Sequence, residues 1–173
     1  WESASQPDTR GEQVETLRRL LKTKWNHIDY VWYDWACMPQ GERTPEQQRE
    51  FQRMLHSVNV LYLGCSVLIM MDRSYMSRFW TQMEAWLSLM MPTKGGLRSA
   101  PKAARRCLIE CVLGSPPALK ESLLQEWSGC TAKIAHQKLS QPDVMVTNLR
   151  DKELQLPKIL DIDKMVASVL GGD

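Results

Sequence analysis

The stretch RFWTQMEAW, residues 78–86, sets Glu84 one helical turn after Trp80, so both side chains share a face. Met83, Leu87 and Met91 flank that side. Glu84 therefore projects from an apolar stripe, where a carboxylate is costly unless it is paired, hydrogen-bonded or raised in pKa. Arg73 and Arg78 are the nearby cations, and an ion pair with one of them is the plain structural explanation. The functional one is a reactive acid, because perturbed carboxylates gather at sites. Trp80 divides the same way, between core filling and an aromatic platform.

Other constellations are weaker. Asp34 and Asp72 each end an apolar run, and both also suit turns or helix caps. Cys37 as a nucleophile needs a histidine base, and His27, His56 and His136 are scattered. Cys107 and Cys111 have no companion ligand nearby, so no metal site is expected. PTKGGLR lacks the ending of a phosphate-binding loop, and Lys102, Arg105 and Arg106 suit a solvated loop.

Length and composition narrow the partners. The 173 residues suffice for one domain with a core. The net charge of +2 argues against a dedicated nucleic-acid binder. No apolar run is long enough to span a bilayer, and no secretory leader is expected, since no charged stretch followed by an apolar one opens the sequence. Five irregularly spaced cysteines fit a reduced compartment, so a cytoplasmic setting is expected.

These residues need elements to hold them. Val14, Leu17, Leu20 and Leu21 have helical spacing. Ile28 to Tyr33 reads as a buried strand ending at Asp34. A proline- and glycine-marked loop follows. Pro45 then starts a helix with an apolar face of Phe51, Met54, Leu55, Val58 and Tyr62, stopping near Gly64. SVLIMMD, residues 66–72, is a second buried strand. Ser77 is positioned to cap the helix that carries Glu84, which Pro92 ends. TKGGLRSAPKAAR reads as a basic loop and RCLIECVL as a third strand. SPPALKESLLQEW and GCTAKIAHQKL read as helices, DVMVTN as a strand, and DIDKMVASVL as a closing helix. Strands alternating with helices imply βαβ units and a mainly parallel sheet in a three-layer α/β fold. Ligands then sit at the carboxyl ends of strands, which places Asp34, Asp72 and Glu84 at one rim, with Asp34 within reach of Glu84.

The blocks YVWYDWACMPQ, QREFQRMLHSVNVLYLGCSVLIMMD and SRFWTQMEAWLS resemble the heterokaryon-incompatibility (HET) family. Trp32, Asp34, Cys37 and Gln40 match its Trp-Ile-Asp-x-x-Cys-Ile-x-Gln block. Arg78, Trp80, Thr81 and Glu84 match its Arg-x-Trp-Thr-x-Gln-Glu block. Met-Pro-Gln follows Cys37 where the family has Ile-Asp-Gln, and SRFW replaces SRGW. The match covers residues 1 to about 91. It implies a TIR-like, flavodoxin-like fold whose first strand is expected to precede Trp1. One domain over residues 1–173 is expected, with 92–173 its C-terminal part or an extension.

Enzymatic TIR domains carry Trp-x-x-x-Glu, whose glutamate works in cleaving NAD. The resemblance implies Glu84 as the catalytic residue, with Trp80, Asp34, Trp35, Cys37 and Arg78 around the substrate. NAD or a related nucleotide is then a substrate, no cofactor is needed, and self-association accompanies activity. The chemistry asks little. Nicotinamide leaves as a neutral base, so one fixed anion beside the oxocarbenium-like centre suffices. The alternative implied function is a non-catalytic TIR-like module that works by self-association.

Overall fold

The computed structural model describes residues 6–172. The chain divides into two compact units, Trp1–Asn59 and Val60–Asp173. Trp1, and the strand expected before it, lie outside the described residues.

The first unit is helical. Helix α1 (Glu12–Thr23) begins where the Asp8 carboxylate accepts from the backbone N–H groups of Gln13 and Val14, at 3.1 and 2.9 Å. Those are donors the helix itself leaves unpaired. Glu12 and Glu15 add negative charge at the positive end of the dipole. Helix α2 (Asp34–Cys37) is a single turn. Helix α3 (Pro45–Ser57) starts as the sequence indicates, with Pro45 in the first turn. Thr44 and Gln47 close a reciprocal capping box. The helix does not run unbroken to Gly64. It stops at Val58, and α4 (Asn59–Gly64) follows, all but its first residue in the second unit.

Residues 28–33, expected as a buried strand, form no strand. Tyr30 is 93% exposed and Val31 46%. The β-branched and aromatic composition has the right propensity, but a strand also needs an edge to bond to. Among its described residues the first unit contains no strand.

The second unit is mixed α/β. In chain order it holds β1 (Val67–Met71), α5 (Phe79–Leu89), β2 (Met90–Thr93), β3 (Gly96–Ser99), β4 (Cys107–Cys111), α6 (Ala118–Trp127), α7 (Ala132–Leu139) and α8 (Leu149–Gly171). β1 and β4 pair in parallel, Val67 opposite Cys107 and Met71 opposite Cys111. This is a small parallel sheet of two strands, and both were legible as short apolar runs.

β2 and β3 form an antiparallel hairpin where the sequence suggested a loop. Lys94 and Gly95 make a two-residue turn between Thr93 and Gly96. Four-residue strands, one containing Pro92, carry little periodicity. α8 packs on both and makes them persist. Gly96 is required there. Its φ is +93°, and a Cβ would lie 2.5 Å from Asp163 Oδ1, which accepts the Leu97 N–H at 2.7 Å.

DVMVTN is likewise not a strand. Only Met145 bridges, alongside Arg78. Met145 exchanges backbone bonds with Ser77 and Phe79 at 2.8 and 2.7 Å. The ladder cannot lengthen, because Ser77 ends a 3-10 turn and Phe79 begins α5. The closing helix starts earlier than its apolar pattern showed. Asn148 caps it by accepting from Arg150 N–H, and Pro157 lies inside it.

The core lies in this second unit. Ile69 and Met71 of β1, Phe79, Met83 and Trp86 of α5, and Ile109 of β4 are all 5% exposed or less. Leu123, Leu139 and Ile159 bring in α6, α7 and α8. Arg106 ties the start of the sheet to its surroundings. Its guanidinium donates to the carbonyls of Tyr62, Cys65 and Met90 at 3.1, 2.8 and 2.8 Å.

Two predictions follow from these contacts. Arg106→Ala leaves three carbonyls short of a charged donor and is expected to cost about 2–3 kcal/mol in urea unfolding. Arg106→Lys recovers only part, because one ammonium lacks the fork that reaches all three. Gly96→Ala is expected to cost about 2 kcal/mol or more by the same measurement, from backbone strain and the displaced Asp163. A change under about 0.5 kcal/mol would show that the hairpin does not depend on that approach.

Candidate functional site

Three of the residues singled out from the sequence lie in the first unit. Asp34 opens α2, and is not the end of a strand. Its Oδ1 accepts the Trp35 N–H at 2.9 Å. Cys37 closes the same turn and is exposed, with its sulfur accepting from the Tyr33 N–H at 3.5 Å. Gln40 holds the turn by donating to the carbonyls of Asp34 and Met38. So Asp34, Trp35 and Cys37 share one tight turn. Burial, then the charges of Asp34 and Asp8, push the Tyr33 phenol up to about 12.

The others lie in the second unit, on the chain that follows β1. Asp72 follows the strand directly and acts as a turn residue. Its Oδ1 accepts from Ser74 N–H and Ser74 O–H, both at 3.0 Å. The same oxygen takes an Arg78 amino group at 2.9 Å. The ion pair that the structure gives Arg78 is thus with Asp72. Ser77 does not cap α5; its hydroxyl donates to the Ser74 carbonyl. The cap position falls on Arg78, which has no side-chain cap bond. Thr81 reaches back instead, donating to the carbonyls of Tyr75 and Arg78 at 2.7 and 3.0 Å.

Trp80 is half-buried against the core, with its ring edge-on to Phe79 at 5.7 Å. Glu84, one turn on, is half-buried as well. Tyr75 is a neighbour that the sequence did not mark. Its phenol is held well above 10, first by burial and then by the Glu84 carboxylate, with Arg78 pulling the other way. The Asp34 and Glu84 carboxylates, expected at one rim with Asp72, belong to different units.

Helix α5 has a second polar feature, Gln82, which is 3% exposed. It accepts the Trp127 indole N–H at 2.9 Å. A cavity of about 290 Å³ opens beside it, walled also by Met76, Glu126, Lys138 and Asp143. Glu84 lines neither this cavity nor the larger groove beside α8. The sequence signal for Gln82 was its place in an otherwise apolar helix. The polar wall comes from α6 and α7, about which α5 says nothing. Among the described residues no three His, Cys, Asp or Glu side chains gather as a metal site, and no helix is long and apolar enough to cross a membrane.

No protein-family model, curated protein or solved structure matches the chain. The likeness to HET and TIR domains therefore rests on the quoted blocks alone.

Tyr75 yields a pH prediction. Its proton is held in the folded state and released from the unfolded chain above about pH 10. The stability this gives is complete below pH 10 and is lost as pH rises further. Tyr33, pushed up to about 12, adds the same sign. Unfolding free energy should fall from pH 10 upward, and Tyr75→Phe should make that fall shallower. An unchanged alkaline slope in Tyr75→Phe would contradict the burial of this phenol.

Proposed function

We propose that this chain is a TIR-like, HET-type signalling domain in which Glu84 supplies the anion for cleaving the nicotinamide–ribose bond of NAD. The observation that carries the reading is the setting of Glu84. It sits half-buried on the helix that follows a parallel strand, one turn after a packed tryptophan. Partial burial limits screening of its charge. Packing of Trp80 fixes the first turn of α5 and so the direction of Glu84. An anion held this way stabilises a developing oxocarbenium without reorganising, and the departing nicotinamide needs no acid. In this proposal Arg78, steadied by Asp72, faces the negative parts of the nucleotide. The three-layer, flavodoxin-like arrangement belongs to the same proposal.

A second reading is favoured by a different observation. Two cavities in the second unit are lined by other residues and not by Glu84. A domain that works by self-association needs no pocket at that carboxylate.

The experiment is incubation with NAD and chromatography for nicotinamide. Release by the unaltered chain is expected, with Glu84→Gln slowing it by at least about a hundredfold. The near-isosteric amide keeps shape and removes charge, so the urea midpoint should hardly move. Loss of folding in Glu84→Gln would make the glutamate structural. Absence of turnover in the unaltered chain, combined with concentration-dependent mass in light scattering, would favour the assembly module.

A further inference from the structure

We propose that the β2–β3 hairpin and the last turn of α8 form one surface that docks on an anionic lipid bilayer. Lying on a membrane asks for clustered cations beside a few exposed apolar side chains, and needs no span.

Three observations support it. The first is charge. Between Glu84 and Glu110 the sequence holds five cations and no carboxylate, whereas the whole chain carries only +2. Arg106 is committed to backbone carbonyls. Lys94, Arg98, Lys102 and Arg105 are exposed, and among the described residues none of them forms an ion pair. Asp163, a carboxylate that reaches the hairpin, is spent on the Leu97 N–H.

The second is placement. Lys94 lies in the hairpin turn, and the Arg98 guanidinium folds back beside it, 3.5 Å from where a Cβ on Gly95 would stand. The Ala100 N–H donates to the Leu89 carbonyl at 2.8 Å and closes the base of the hairpin. Lys102 and Arg105 follow directly. Arms of four residues span about 13 Å, so tip and base present one charged ridge.

The third is exposed apolar surface at the same place. The last turn of α8 sits against the hairpin turn, since a Cβ on Gly171 would lie 2.9 Å from the Lys94 carbonyl oxygen. Val169, in that last turn, is 72% exposed, and Leu170 beside it is exposed as well. Aliphatic side chains next to cations fit the boundary between headgroups and acyl chains, where both are satisfied. A nucleic acid or an acidic peptide would use the charge and leave Val169 in water. An anionic bilayer uses both, with each cation near its surface strengthening binding about fivefold.

The test is flotation of the full chain with vesicles of phosphatidylcholine, either pure or with about 30% phosphatidylserine. Binding to the anionic vesicles is expected to be at least about tenfold tighter than to the neutral ones, and to weaken as salt is raised. Lys94→Gln combined with Arg98→Gln should weaken it by about tenfold or more, and Lys102→Gln combined with Arg105→Gln should act in the same direction. Val169→Ser, at an exposed position, should weaken it about fivefold and leave binding to a single-stranded RNA oligonucleotide unchanged. Each variant is checked for an unaltered melting temperature. The proposal is overturned if both kinds of vesicle bind alike, if neither binds at about 1 mM lipid, or if neither pair of cation substitutions weakens binding. It is overturned equally if Val169→Ser floats as the unaltered chain does, since the ridge would then read charge alone.

Discussion

The burial of α5 is the constraint from which the second unit is built. Eight of its eleven residues are buried, so no face is left wholly to water. A helix apolar all round must be enclosed, and one neighbour cannot do it. Residues of β1, β4, α6, α7 and α8 all join Phe79, Met83 and Trp86 in one cluster. The two buried indoles direct this closure as well as filling space. Trp86 donates to the Cys130 carbonyl at 3.4 Å, and Trp127 donates to Gln82 at 2.9 Å. Each buried N–H thereby finds an acceptor and fixes one neighbour of α5 at a set place.

Long cations then satisfy the backbone that this packing leaves over. Arg106 takes carbonyls from α4, from the segment before β1, and from the start of β2. Lys152 takes the carbonyls of Gln141 and Val144, and its ammonium lies 5.9 Å from the centre of the Phe79 ring. Burial pulls both cations below their usual pKa. Carbonyl oxygens offset that cost and keep the connecting chain close to the core.

The same closure divides the chemistry of α5 between two directions. Glu84 stays half-buried and acts on Tyr75, while Gln82 points into a cavity completed by α6, α7 and the chain that follows α7. Asp72 and Arg78 neutralise each other beside the first direction, and Lys138 and Glu126 do so beside the second. In each place a packed aromatic, Trp80 or Trp127, sits next to the polar group, so rigid packing sets where the charge is displayed.

Local physics made much of this legible in the sequence. The start of α3 was legible from Pro45, and the Thr44–Gln47 box that completes it lies within the same four residues. β1 and β4 follow from short apolar runs, and α6 and α7 from their apolar spacing. The one-turn link between Trp80 and Glu84 is helical geometry and needs no partner. What depended on a partner was not legible. Residues 28–33 have strand propensity but no edge to join, and DVMVTN reaches only one bridge because its neighbour turns into α5. The β2–β3 hairpin exists because α8 covers it, and Pro157 sits inside a helix whose length is set by that packing. Arg78 chose Asp72, six residues away, through a turn that only the folded chain closes. The cavity at Gln82 needs residues more than forty positions distant. Periodicity and capping are written within a few residues, whereas pairing, enclosure and cavities are set by which distant surfaces meet.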